Sequence, residues 1–197
     1  MTYKLLSMEF EQWEKIGLGD KEAYSEMYVF YYKKLYNYGR KFTDDIAMIE
    51  DAINEVFITI WARRENLNTI NSPNNYLFTS FRNNIFKKIK TARILQLGEV
   101  FSDSEVDFSI DNFIIKKEVD KAMGQQLQNA FNRITARQRE AIFLRFYEQL
   151  SFPEVALIMG ISVKATYKII SRALDELRKI LSLEVFFFLA LLNDVLS

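Results

Sequence analysis

Apolar positions along this chain recur three and four residues apart over long stretches, with almost no β-branched alternation, so the sequence predicts helices. After Gly19-Asp20, with Asp20 as the expected N-cap, Tyr24, Met27, Tyr28, Tyr31, Leu35 and Tyr38 mark the stripe of a first helix. Ile46, Ile49, Ile53, Val56, Phe57 and Ile60 mark a second, the cleanest amphipathic pattern in the chain. Its other face carries Glu50, Asp51, Asn54 and Glu55, then Trp61 and Arg63-Arg64. A polar loop leads to Ser72-Pro73, an N-cap followed by proline at the first helical position, where the missing N–H costs little. Tyr76, Leu77, Phe81, Ile85 and Ile89 then form the inner face of a third helix, and Arg82, Asn83, Lys87 and Lys90 its outer face.

The period lapses after this helix, and the chain turns acidic and serine-containing. The lapse predicts a linker at 97–112 between an N-terminal helical domain, 1–96, and a C-terminal one, 113–197. A helix from about Phe113 to Gln128 leads into the second domain. Thr135-Ala136-Arg137-Gln138 and Ser151-Phe152-Pro153-Glu154 are capping boxes, so this domain reads as four helices. Gly160-Ile161-Ser162 breaks the helix opened at Ser151, and another begins at Val163. Lys164, Lys168 and Arg172 lie on one side of it, and Ile169, Ile170, Ala173, Leu174 and Leu177 on the other. A buried stripe, a basic face and a tight corner are what a DNA-reading helix-turn-helix requires. Ser162 is its N-cap. Lys164, Thr166, Tyr167 and Lys168 are the candidates for base or near-base contact, and Ser171 and Arg172 for phosphates. The fold class expected is all-α: two small helical domains joined by an acidic linker, the C-terminal one a helix-turn-helix.

Composition narrows the chemistry. With 0 Cys and 0 His there is no disulfide, zinc finger, or Ser-His-Asp or Cys-His catalytic system. No convergent cluster of nucleophile, base and oxyanion donors appears, so no enzyme and no cofactor are expected. The 26 basic and 26 acidic residues cancel, so DNA binding is expected to be weak alone or assisted by a partner. Their distribution is uneven. Arg82, Lys87, Lys88, Lys90 and Arg93 follow one another without an acid, whereas Glu99 to Asp120 holds seven acids against two lysines. Aromatics interleave with the basic run, and the preceding loop, with Asn68 and Asn71, is rich in amides. Basic groups can track phosphates while an amide-lined loop holds an unstacked base. The longest apolar run, Val185 to Leu192, is eight residues, far short of the roughly 20 that span a bilayer. No signal peptide is evident at the N-terminus, and a cytoplasmic protein with no membrane insertion of its own is expected. The apolar run reads as a last helix packed on the core or, left exposed, as an association site.

From about Gly19 to Ile180 the pattern resembles a bacterial extracytoplasmic-function sigma factor, the minimal promoter-specificity subunit of RNA polymerase. Asp51-Ala52-Ile53-Asn54-Glu55-Val56-Phe57 with Trp61 looks like the family's polymerase-clamp-binding helix. Tyr76-Leu77 followed by Arg82-Asn83 looks like the start of its promoter-melting helix. Leu150-Ser151 through Arg172-Ala173-Leu174 matches its helix-turn-helix. On spacing alone, the face of Asp51, Asn54 and Glu55 is an ordinary solvated helix face. The resemblance implies that this face, with Trp61, docks on core RNA polymerase. It also implies that Asn68, Asn71, Arg82, Asn83, Lys87 and Lys90 open the downstream promoter element, that the helix-turn-helix reads the upstream element of promoter DNA, and that an anti-sigma factor controls the protein. Departures from the family pattern fall at Asn54 (usually Gln), at Lys87 and Lys90 (often Asp and Arg), and at Pro153 and Ala165; they bear on which promoter is read. Two other readings of the residues stay open: a stand-alone helix-turn-helix regulator, and a helical adaptor that binds only proteins.

Overall fold

The structure is a computed structural model and describes residues 11–70, 72–98, 102–109 and 121–181. It divides into two compact units, Met1–Glu105 and Val106–Ser197, and the described residues are helical with no strand. None of the described helices is long and apolar enough to cross a membrane.

In the first unit a helical stretch, 11–17, precedes α1 (Lys21–Gly39), α2 (Ile46–Ala62) and α3 (Pro73–Leu97). The starts follow the expected chemistry. Asp20 accepts from the backbone N–H groups of Glu22 and Ala23, and Ser72 accepts from that of Asn75 with Pro73 opening the helix. Gly98, in the left-handed region at φ 69°, closes α3. Tyr31, Leu35 and Tyr38 of α1, Ile49, Ile53, Phe57 and Ile60 of α2, and Leu77, Phe78, Phe81 and Ile85 of α3 build the core. Trp13 joins it and donates its indole N–H to the Leu67 carbonyl at 3.0 Å. That bond ties the chain before α1 to the 3₁₀ turn Arg64–Thr69. Tyr24 and Tyr28, expected in the buried stripe of α1, instead sit half-exposed at its edge. Tyr28 meets Phe57 edge-on at 4.8 Å. Gly39 packs α1 tightly against its neighbours: a Cβ there would stand 2.8 Å from Ile49 and 2.9 Å from Phe81.

The second unit contains α4 (Lys121–Asn132), α5 (Ala136–Ile142), α6 (Phe152–Met159) and α7 (Val163–Ile180). Capping boxes at Thr135 and Ser151 open α5 and α6, each with the reciprocal N3 side chain in place. A π-helical turn, Phe143–Tyr147, extends α5, and Gln149 at φ 57° reverses the chain beyond it. The sequence pattern did not predict this widened turn. Arg139 organises the entry to the unit. Its guanidinium donates to the carbonyls of Phe131 (3.3 Å), Ile134 (3.0 Å) and Phe108 (2.6 Å), and to the Asp107 carboxylate (2.6 Å).

The segment expected as a linker, 97–112, is described at 97–98 and 102–109. Leu97 and Gly98 finish α3, Asp103–Glu105 forms a 3₁₀ turn on the first unit, and Val106 and Phe108 are buried in the second. Of the helix expected from about Phe113 to Gln128, α4 covers the described part and runs on to Asn132. The apolar run Val185 to Leu192 lies outside the described residues.

Candidate docking face and nucleic-acid interface

Helical spacing puts Glu50, Asp51, Asn54, Glu55 and Ile58 on the exposed side of α2. Neighbouring residues hold the polar members in place. Tyr28 donates to the Asn54 amide oxygen and Tyr32 to the Glu50 carboxylate, both at 2.9 Å. Burial, then the Glu50 carboxylate, pushes the Tyr32 hydroxyl up to about 12. Lys88 of α3 forms ion pairs with Asp51 and, at 2.7 Å, with Glu55. These bonds hold the Glu55 carboxyl below the usual carboxylate range. Burial works to lower the Lys88 ammonium, but the hydrogen bonds it donates to Asp51 and Glu55 prevail and raise it. Sequence reasoning placed this lysine in the basic run but missed its pairing, because its partners stand 33 and 37 residues away. It also missed Ile58, which is 65% exposed beside the acids. Trp61 belongs to the seam between α1 and α2: Tyr24 meets its ring edge-on at 5.0 Å, and Arg64 lies over it at 5.0 Å.

On α3, Asn83 and Lys87 are exposed as expected. Two shallow clefts meet at them. One, of about 290 Å³, is lined with Glu55, Thr59, Tyr76, Ser80 and Asn84; the other, of about 320 Å³, with Phe86, Lys90, Thr91 and Asp103. Hydroxyl, amide and ammonium groups bordering aromatic rings suit an unstacked base and its phosphates. Lys90 is half-buried and forms an ion pair with Asp103. Arg82 corrects the expectation that it lies on the outer face. It is 5% exposed, its guanidinium 4.0 Å from the Phe86 ring centroid. The reason is its place four residues after Phe78 and four before Phe86, both buried. Asn68 lies in the turn Arg64–Thr69, whereas Asn71 is outside the described residues.

In the second unit, Gly160 closes α6 in the left-handed conformation at φ 63°, and Ser162 caps α7 by accepting from the Ala165 N–H at 3.2 Å. The corner is a helix-turn-helix. Ser162, Lys164, Tyr167, Lys168, Ser171 and Arg172 are exposed, and Ile170, Ala173 and Leu177 are buried. Thr166 is a second correction. It is fully buried and donates its hydroxyl to the Ser162 carbonyl at 3.2 Å, so it packs the corner and cannot reach a base. Tyr167 stacks on Phe152, ring centroids 3.9 Å apart and planes 12° from parallel, a contact the sequence pattern did not reveal.

Comparison with known proteins adds a family. Residues 27–94 match the family model of sigma-70 region 2, and residues 124–177 that of sigma-70 region 4. A relative from Streptomyces coelicolor, described as the ECF RNA polymerase sigma factor BldN, is 27% identical over 175 residues. The match takes in 85% of this chain, which spans only 64% of that relative's length. Among solved structures, CnrH in complex with the cytosolic domain of CnrY has a similar fold (TM-score 0.58, 17% identity, 86% of this chain and 94% of that one). So does the sigma factor RpoE from Bartonella quintana in complex with the anti-sigma factor NepR (TM-score 0.56, 19% identity, 79% and 94%).

Proposed function

We propose that this chain, which belongs to the extracytoplasmic-function sigma factor family, directs bacterial RNA polymerase to specific promoters and starts transcription there. The exposed face of α2, with Asp51, Asn54, Glu55 and Ile58, docks on core polymerase. Asn83, Lys87 and Lys90 of α3 engage the downstream element as it opens, together with Asn68 and Asn71. The helix-turn-helix reads the upstream element through Lys164, Tyr167 and Lys168, with Ser171 and Arg172 on phosphates and Ser162 at the entry of α7. An inhibitory protein of the anti-sigma kind controls access to these faces.

The observation that carries this reading is the pairing, in one chain, of an acidic α2 face against a basic α3 in one unit with a helix-turn-helix in the other. The formal net charge of +0 fits the same reading. A chain without excess positive charge binds phosphates weakly by itself. Polymerase supplies part of the affinity, and linking two weak DNA readers raises the effective concentration of the second once the first is engaged. The test is gel filtration of the chain with and without core bacterial polymerase, followed by transcription from a randomised promoter pool. Co-elution and enrichment of a two-part motif are expected. Duplex binding without co-elution would move the reading to a stand-alone regulator, and failure of both to a protein-only adaptor.

A further inference from the structure

We propose that Phe152 is a positioning residue for promoter reading: it holds the Tyr167 ring as a rigid apolar probe that prefers a thymine methyl at one position of the upstream element. The proposal rests on the reading that α7 enters the major groove. Phe152 opens α6 and Tyr167 lies one turn into α7, so their stack bridges the two helices of the motif. The stack has a root. Arg145, in the π-helical turn, places its guanidinium 5.3 Å from the Phe152 ring centroid and donates to the Leu150 carbonyl at 3.1 Å. Phe152 thus holds the Tyr167 ring, and Arg145 in turn holds Phe152.

Tyr167 is 53% exposed although its ring stacks on Phe152, and its helical neighbours Lys164, Lys168 and Ser171 are exposed with it. An unsupported tyrosine on a helix surface samples several rotamers and would lose that freedom on binding. Stacked in advance, it meets a base edge in one orientation. Its apolar ring suits the C5-methyl of thymine, the one apolar group that the major groove offers.

The test removes that methyl and nothing else. Full-length chain assembled with core bacterial polymerase is bound to a promoter duplex taken from the randomised pool, with each thymine of the upstream element replaced in turn by deoxyuridine. Wild-type protein is expected to lose about fourfold in affinity at one position, the equivalent of one buried methyl. Y167A and F152A are expected to lose that preference while keeping the wild-type salt dependence, since the phosphate contacts remain. F152Y, which preserves the stack, is expected to retain it. Should F152A fail to fold by circular dichroism, F152L keeps apolar volume without the ring and is measured in its place. Wild-type preference in the variant lacking the ring would overturn the proposal, as would a wild type indifferent to every methyl. An assembled wild type that recognises no upstream sequence would overturn the promoter-reading function together with it.

Discussion

Lys88 donates to Glu55 at 2.7 Å across 33 residues of chain, so the acidic face of α2 carries its own counter-charge. A charge reversal of Asp51 and Glu55 would therefore do two things at once. It would remove anions offered to a partner and set new lysines against Lys88 inside the same unit. Neutral variants separate the effects. D51N/E55Q is expected to weaken co-elution with core polymerase and raise its salt sensitivity, because rim charges act mainly on encounter and register. K88A is expected to lower stability by about 0.5–1 kcal/mol, read from the urea midpoint, since the acids stand largely in water. Assembly unaffected by D51N/E55Q would move the docking surface away from these acids.

The same pair sets a pH window. Glu55 titrates below its ordinary value in the folded protein, so its contribution is present above the ordinary carboxylate pKa and lost as pH falls through the depressed one. Lys88 titrates above its ordinary value, so its contribution is present below the ordinary lysine pKa and lost as pH rises through the raised one. The link between α2 and α3 thus holds across neutral pH and weakens at both extremes. Carbon-detected NMR titration of the Glu55 carboxyl is expected to show the depressed pKa in wild type and an upward shift in K88A. An unmoved Glu55 in K88A would mean that the ion pair does not set it.

Ile58 adds an exposed apolar side chain to the proposed docking face. Its 65% exposure leaves little packing to lose, so I58D is expected to change folding stability by less than about 0.5 kcal/mol. Assembly with polymerase is expected to weaken about tenfold or more, as a charge placed at a desolvated contact would require. Normal co-elution of I58D would remove α2 from the proposed interface.

Residues fixed by their immediate neighbours were legible in the sequence. Asp20, Ser72, Thr135, Ser151 and Ser162 each cap the helix they were expected to open, because a cap bonds to backbone two or three residues away. The face of each helix was legible except at its borders. Arg82 follows Phe78 by four, and Thr166 precedes Ile170 by four, so each lies on a buried stripe that its polar side chain disguised. The arginine is accommodated by the Phe86 ring, and the threonine by its own helix backbone. Lys88 on Glu55 and Phe152 on Tyr167 join different helices, and no local spacing announces such a meeting.

Gly39 is an expected point of failure in the first unit. A methyl there meets Ile49 at 2.8 Å and Phe81 at 2.9 Å, both fully buried and unable to retreat without moving α2 or α3. G39A is expected to cost about 1–3 kcal/mol by overpacking, more than the gain in helix propensity returns. A urea midpoint equal to wild type would show that α1 can slide away from this contact.

Arg139 plays the corresponding role in the second unit, by hydrogen bonding. One guanidinium serves three carbonyls and Asp107, and lysine has no forked set of donors to replace it. R139K is expected to lose about 2–3 kcal/mol, since buried carbonyls left without a donor incur their desolvation cost. Because the bonds reach Asp107 and Phe108, hydrogen exchange is expected to rise first at residues 106–109 and at the end of α4. Uniform protection in R139K would assign the anchoring of this segment to Val106 and Phe108 alone.

Lys90 faces a competition. Its ammonium is paired with Asp103, yet the proposed melting function needs it on a DNA phosphate. A carboxylate offers the same charge and acceptor chemistry as a phosphate oxygen, so Asp103 would compete with DNA for Lys90 under the proposed function. Removing it is expected to release that competition. D103A should bind a single-stranded promoter oligonucleotide about two- to fivefold more tightly than wild type at low salt, the worth of one part-exposed ion pair. The gain should shrink as salt rises, because added ions screen both the pair and its replacement. K90A should lose affinity, and D103A/K90A should bind no better than K90A, since the carboxylate then has no ammonium to occupy. Equal gains from D103A in the presence and absence of Lys90 would instead assign the effect to general repulsion between the acidic turn and DNA.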